Sequence, residues 1–133
     1  MSAALADTVP QAPLTLRWTP TQEEFDRFAV LSGDDNPIHV DPEFSARTRF
    51  GRTVSHGMLL YARAYAAIRR RWPQAGHATQ TLMFPNPAYA GEELELVVAP
   101  DARLPWRLAV SIRRVADDAV VLAGECGLAE DGR

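Results

Sequence analysis

The sequence predicts an α+β fold, with an antiparallel β-sheet of about five strands wrapped around one long central α-helix. Helical patterns dominate the first half of the chain, and strand patterns dominate the second half. Residues 57–72 are apolar on nearly every side, which indicates a helix that other elements bury. Residues 106–115 alternate between apolar and polar side chains, as a strand with one buried face does.

The length of the chain, 133 residues, suits one domain with a real core but is short for two. We expect residues 14–133 to form this single domain. Residues 1–13 contain two prolines and lack the basic and apolar regions of a secretory signal. We therefore predict that they form a flexible N-terminal arm.

The first half of the chain is predicted to contain one strand and three helices. A short strand at residues 14–18 precedes a helix at 22–31, which has acidic residues in its first turn. Asp41 can cap a short helix that continues to about residue 47. The long helix begins at His56 or Gly57, and Pro73 stops it.

The second half of the chain is predicted to supply the remaining strands of the sheet. They are placed at residues 79–84, 92–98, 106–115 and 119–128. One helix cannot cover the whole apolar face of such a sheet or shield its edges. We therefore expect edge pairing into a homodimer or a higher oligomer.

The composition excludes several classes of protein. A formal net charge of −3 gives no electrostatic reason to expect a nucleic-acid partner. No run of eighteen apolar residues is present, so no membrane span is predicted. The single cysteine, Cys126, cannot form an internal disulfide, and no Cys/His cluster has metal-ligand spacing. These features predict a cytoplasmic protein without a metal site.

Residues 32–39 contain a carboxylate, an amide and an imidazole within one turn-forming segment, SGDDNPIH. Its glycine, aspartates, asparagine and proline favour an irregular loop, where catalytic groups often lie. Asp34 and His39 are not neighbours by helix or strand periodicity, so they can converge only if Asn36-Pro37 folds the chain back. Together they suggest acid/base chemistry on a carbonyl compound.

The stretch from Phe28 to Leu60 reads FAVLSGDDNPIHVDPEFSARTRFGRTVSHGMLL. It resembles the hydratase signature of the MaoC-like, (R)-specific enoyl-CoA hydratase family, which has the hot-dog fold. Phe84-Pro85 followed by Gly91-Glu92 resembles a later strand-turn-strand region of that family more loosely. The close match covers about a quarter of the chain.

The resemblance implies reversible hydration of a trans-2-enoyl thioester to a (3R)-3-hydroxyacyl thioester, carried on coenzyme A or acyl carrier protein. It implies that Asp34 and His39 are a catalytic dyad that shares one water, and that Asn36 orients one of them. It also implies that the backbone N–H of Gly57 stabilises the thioester oxyanion. No cofactor is expected, because the thioester carbonyl itself is the electron sink.

Four further residues are candidates for substrate binding, each with a simpler alternative. Met58 and Tyr61 can line an acyl pocket or belong only to the core. Arg69 and Arg70 can contact the phosphates of a carrier or form a solvated helix end.

Four other polar residues are interpreted without a catalytic role. We expect Asp35 to be solvated, His77 to be structural and Cys126 to be a small core residue. His56 can be a helix-start residue or a donor behind the dyad.

Two alternative functions remain open at this point. One is an acyl thioesterase on the same fold, although hot-dog thioesterases generally lack the complete Asp-x-Asn-Pro-x-His segment. The other is a noncatalytic or partner-dependent hot-dog subunit of a heteromeric dehydratase. Such a degenerate subunit would be expected to lose Asp34 or His39, and both are present.

Overall fold

The computed structural model describes residues 12–130, and within them helices precede most of the strands, as predicted. The elements are β1 (Leu14–Trp18), α1 (Gln22–Ser32), α2 (Pro37–Val40), α3 (Pro42–Ala46), α4 (Gly57–Arg71), β2 (Ala75–Gln80), β3 (Leu94–Pro100), β4 (Arg107–Arg114) and β5 (Val120–Glu130). The proposed arm, residues 1–13, lies outside the described residues except for its last two. The single-domain assignment of residues 14–133 stays a prediction.

The five strands form one antiparallel sheet in the order β1-β3-β4-β5-β2, which confirms the predicted fold class. In the register, Leu96 of β3 lies opposite Leu16 of β1 and Ile112 of β4. Alternate residues therefore reach the same face, and Leu94, Leu96 and Val98 are completely buried there. Strands β1 and β2 are the edges of the sheet.

Helix α4 packs one side against this apolar face. Leu60, Ala64 and Ile68, spaced four residues apart, are the buried residues of the helix. The prediction that α4 is buried on most sides is wrong for the single chain, because Met58 is 53% and Tyr65 41% exposed. A sheet that contacts one side of a helix can cover only one stripe of its surface.

The predicted strand at 79–84 is misplaced, because β2 begins at Ala75 and ends at Gln80. The signal misread was Gly76, which suggested a loop. The pairing register with β5 shifts between His77 and Thr79, so the strand is irregular at its centre. Hydrogen bonds to β5 continue after β2, because the Met83 amide donates to Ala123 at 2.8 Å.

The close crossing of residues 79–81 over β5 requires a small residue at Gly124. A Cβ atom built at this position would lie 1.8 Å from the carbonyl oxygen of Thr81. Such a contact forces the backbone of one strand to move. Gly124 therefore fixes how closely this edge of the sheet can pack.

We predict that Gly124→Ala destabilises the protein by about 2–3 kcal/mol, the upper part of the range for overpacking substitutions, because the atom it meets is backbone. Gly51→Ala is the control, because nothing lies within 4 Å of its Cβ position and only its φ of 72° opposes the substitution. That strain should cost about 1 kcal/mol. Urea denaturation measures both free energies of unfolding. An equal or smaller loss in Gly124→Ala would contradict the close crossing.

Candidate active site

Asp34 and His39 meet because two short structural features fold residues 32–40 back on themselves. Helix α1 ends at Gly33, whose φ of 81° is left-handed and suits glycine. Helix α2 then begins at Pro37, and the Asn36 side chain accepts a hydrogen bond from the Ile38 amide at 3.1 Å. The sequence predicted the reversal but not the helix, so part of the expected irregular loop is regular structure.

Asp34 is held mainly by its backbone, and its carboxylate oxygen Oδ2 is directed toward His39. Its amide donates to Ser32 Oγ at 3.1 Å, and its carbonyl accepts from His56 Nε2 at 2.9 Å. Carboxylate oxygen Oδ2 lies 3.7 Å from His39 Nε2, and the Asp34 side chain is 55% exposed. This separation exceeds a direct hydrogen bond, so one water molecule can contact both groups.

The His39 ring is fixed by its other nitrogen. His39 Nδ1 lies 2.8 Å from the carbonyl oxygen of Val54. Because a carbonyl only accepts, Nδ1 carries a proton, and in the neutral tautomer that this contact selects the lone pair is at Nε2. The side chain is buried, and its exposed edge faces Asp34. The site therefore presents two acceptors, a carboxylate oxygen and an imidazole nitrogen.

The backbone around His39 is also anchored from helix α1. Gln22 Nε2 donates to the His39 carbonyl at 2.8 Å, and Thr53 Oγ1 donates to Gln22 Oε1 at 2.6 Å. The Val54 amide donates to the Ile38 carbonyl at 3.0 Å. None of these contacts was predicted, because each joins residues that are distant in the chain and have no motif of their own.

His56 is almost completely buried beneath the dyad. Its ring stacks on His39, with centroids 3.8 Å apart and planes inclined by 24°. The edges of Phe25 and Phe28 contact the same ring. Burial lowers the pKa of His56 from its ordinary value, although the Asp34 carbonyl acts in the opposite direction. The ring is therefore neutral at neutral pH.

A cavity of about 240 Å³ opens beside His39 and includes Gly57, the first residue of α4. Its walls are mainly apolar and come from residues 38–60 and 84–88, together with Val121. Among residues 12–130 no side chain caps the N-terminus of α4, and the first amides of a helix have no intrahelical acceptor. Gly57, whose N–H is one of these donors, lines the same cavity as His39.

Asn36 lies beside the dyad, but its side chain caps α2. Its amide oxygen faces the Ile38 amide, and its own backbone N–H points to Asp34 Oδ1 at 3.5 Å. The cap fixes the helix that carries His39. Asn36 thus supports both members of the dyad through the backbone, whereas the sequence suggested an amide contact to one of them.

The four candidate substrate-binding residues do not line the cavity that contains His39. Met58 is largely exposed, and the Tyr61 hydroxyl lies 3.4 Å from His77 Nε2. Arg69 donates to the carbonyl of Ala75. Arg70 lines a separate groove of about 420 Å³ between α4 and β1. Their predicted role in substrate binding stays a prediction.

His77 and Cys126 form a second polar cluster away from the dyad. His77 lies in β2, where the sequence suggested a loop, and its Nε2 is 3.3 Å from Cys126 Sγ and 3.0 Å from Gln80 Oε1. Burial raises the pKa of the Cys126 thiol to about 11. The thiol is therefore protonated at neutral pH, as expected of a core residue.

Asp34, His39 and His56 also include the atom types that bind metal ions. One such atom from each residue lies within 4.8 Å of the others. Two of the four ring nitrogens face backbone carbonyls, so only His39 Nε2 and His56 Nδ1 retain a lone pair. A divalent ion held there would compete for the space between Asp34 and His39, where a water can lie. The predicted absence of a metal site stays a prediction.

Comparisons with known proteins identify a family. The model of the MaoC like domain matches residues 4–107. The chain is 36% identical over 96 residues to the (R)-specific enoyl-CoA hydratase of Aeromonas caviae, covering 71% of this chain and 70% of that protein. It is 35% identical over 102 residues to the 3-hydroxybutyryl-CoA dehydratase of Methylorubrum extorquens, covering 74% of this chain but only 65% of that protein.

Solved structures give the same result. The unliganded R-hydratase PhaJ1 from Pseudomonas aeruginosa matches with a TM-score of 0.84 at 28% identity, over 95% of this chain and 84% of that chain. The (R)-hydratase from A. caviae matches with a TM-score of 0.81 at 28% identity, over 90% and 95%. The dyad segment, the antiparallel sheet around α4 and these matches agree, and the chain belongs to the MaoC-like domain family.

Proposed function

We propose that this protein is a hydro-lyase that hydrates a trans-2-enoyl thioester to a (3R)-3-hydroxyacyl thioester, or catalyses the reverse dehydration. The observation that carries the proposal is the pair of acceptors, Asp34 Oδ2 and His39 Nε2, 3.7 Å apart beside a mainly apolar cavity. The proposed substrate class also agrees with the names of the related hydratases and dehydratases.

The dyad can activate one water molecule. A water between Asp34 and His39 would donate one hydrogen bond to each, because both groups are acceptors. Its oxygen lone pair would then be free to attack C3 of the enoyl group. One O–H bond breaks as the C3–O bond forms, the proton passes to the dyad, and a proton from the dyad reaches C2. The dyad ends in its starting protonation state.

The thioester oxygen needs hydrogen-bond donors while negative charge develops on it. The Gly57 N–H at the uncapped start of α4 is suitably placed in the cavity, and the helix dipole favours an anion there. A side chain at position 57 would crowd the cavity, because a Cβ atom would lie 3.0 Å from the Phe84 ring. No step of this reaction requires a cofactor. The carrier, coenzyme A or acyl carrier protein, is not specified by these contacts.

We predict that Asp34→Asn and His39→Ala each lower kcat by at least about a hundredfold, the scale of general acid/base catalysis. The assay follows loss of the conjugated enoyl absorbance of crotonyl-CoA. Asp35→Asn is the matched control, because Asp35 is the adjacent exposed carboxylate and belongs to no contact of the dyad. It should retain the wild-type rate. Near-wild-type turnover in Asp34→Asn would refute the mechanism.

The same assay separates the alternative functions. Release of free thiol from the thioester would indicate a thioesterase. Inactivity of the wild-type protein with enoyl thioesters of every length would favour a noncatalytic or partner-dependent subunit. Loss of absorbance without free thiol, abolished in both dyad variants, supports the hydratase.

We also propose that two copies, or this chain and a related hot-dog subunit, pair through the β2 edge of the sheet. Apolar side chains are exposed beside this edge, with Met83 67% and Phe84 43% accessible in the single chain. Met58 of α4 is also exposed, and Phe84 lies against the Gly57 backbone. A partner there would cover this apolar surface and the unpaired edge of β2.

This pairing predicts a dimer at micromolar concentration in sedimentation-velocity experiments. Met83→Glu should shift the equilibrium toward monomer, because a carboxylate would have to be buried at the interface. Val30→Glu is the control, since Val30 is an equally apolar and 87% exposed residue of α1. A wild-type monomer, or identical behaviour of the two variants, would contradict the β2 interface.

Among residues 12–130, no helix combines the length and the apolar character needed to cross a bilayer. A cytoplasmic location stays a prediction from the sequence.

A further inference from the structure

We infer that His56 is a positioning residue that sets the geometry of Asp34 and His39 through two simultaneous contacts. This inference rests on the proposed function, because the dyad is the object that His56 positions. His56 itself faces neither substrate nor water, since only 2% of its surface is accessible. Its effect on catalysis must therefore pass through the two residues that it touches.

The first contact fixes the backbone of Asp34. His56 Nε2 lies 2.9 Å from the Asp34 carbonyl oxygen, so this nitrogen carries the proton and donates. The bond joins Asp34, in the loop after α1, to His56, the residue before α4, although the two are 22 positions apart. Without it, Asp34 itself would keep only local hydrogen bonds within the described part of the chain, from its amide to Ser32 and from Asn36 to its carboxylate.

The second contact fixes the ring of His39. The His56 ring covers one face of His39 in a nearly parallel stack with a centroid distance of 3.8 Å. The Val54 carbonyl holds one edge of the His39 ring, but a single hydrogen bond still permits tilting about its axis. The stack removes that freedom. Nε2 of His39 is therefore directed at the Asp34 carboxylate.

The neutral state of His56 makes the stack compatible with proton transfer. His56 Nδ1 is buried and has no hydrogen-bond partner among residues 12–130, so a proton there would be an unsatisfied donor. The groups that face the ring are the aromatic rings of Phe25 and Phe28, the His39 ring and the Asp34 carbonyl. The Asp34 carboxylate lies within 4.8 Å of a His56 ring nitrogen and raises the pKa of His56, but burial lowers it by more. A neutral ring does not repel His39 when His39 takes the proton from water.

Two substitutions separate the two contacts. His56→Gln retains an N–H donor of similar reach but removes the ring, whereas His56→Phe retains a ring but removes the donor. Each should lower kcat for crotonyl-CoA by about tenfold or more, because small displacements of catalytic groups are costly. KM should change by less than about twofold. His56→Ala, which removes both contacts, should lose more activity than either variant.

His77→Gln is the matched control. His77 also stacks on an aromatic ring, Tyr65 at 5.0 Å, and has a buried Nδ1 without a partner among residues 12–130, but it does not contact the dyad. This variant should lose about as much thermal stability as His56→Gln but keep the wild-type kcat. Equal losses of kcat in His77→Gln and the His56 variants would overturn the inference, because they would show that a general loss of fold stability lowers the activity.

A readout that does not use activity is the nitrogen-15 spectrum of the histidine side chains. In the wild type, His39 should show a single neutral tautomer with the proton on Nδ1, and His56 one with the proton on Nε2. His56→Gln should give His39 signals that exchange between orientations, while His77→Gln should not. An unchanged His39 signal in His56→Gln would overturn the stacking contact.

The outcomes distinguish this inference from the proposed function. Inactive wild-type protein would refute the hydratase, while the nitrogen-15 spectra would still test the geometry. Active wild-type protein with full kcat in both His56→Gln and His56→Phe would overturn the inference alone. A loss in only one of the two variants would overturn the claim that both contacts act.

Discussion

The hydrogen bond from His39 Nδ1 to the Val54 carbonyl determines most of the chemistry that this site can perform. It selects the tautomer of a buried ring, and that choice leaves a lone pair at Nε2. The Val54 amide donates to the Ile38 carbonyl, and Val54 also forms an isolated bridge with Tyr89 outside the five strands. The acceptor of the His39 ring is thus held by two backbone contacts of its own.

A hydrogen bond from a histidine nitrogen to a backbone carbonyl occurs twice in the site, because the Asp34 carbonyl also selects the tautomer of His56. Carbonyl groups are neutral, fixed and unable to donate, so they determine a protonation pattern without adding a charge. The Asp34 carboxylate remains half exposed, while the His39 ring is buried. With the lone pair of the selected tautomer at Nε2, both groups can accept a hydrogen bond from one water molecule without competing for the same proton.

The sequence revealed the residues of this site better than their contacts. The order of elements, the turn that brings Asp34 near His39 and the start of α4 were predictable because caps, breakers and apolar periodicity are local signals. The contacts of Gln22, Val54 and His56 were not, because each depends on a partner 15 or more residues away, often a backbone atom. The start of β2 was mispredicted for a related reason. Gly76 suggested a loop, but its pairing with a distant residue of β5 places it in the strand.

His56 Nδ1, which has no hydrogen-bond partner among the residues that the structure describes, shows why this position favours histidine. A buried polar atom without a hydrogen bond costs stability, and residues that carry such a cost often serve a site. Phenylalanine would avoid the cost but could not hold the Asp34 carbonyl. An amide side chain could hold it but would give His39 no flat face and would bring more polar atoms to satisfy. A neutral imidazole supplies one donor and one flat face together, so the buried Nδ1 is the energetic cost of orienting both Asp34 and His39.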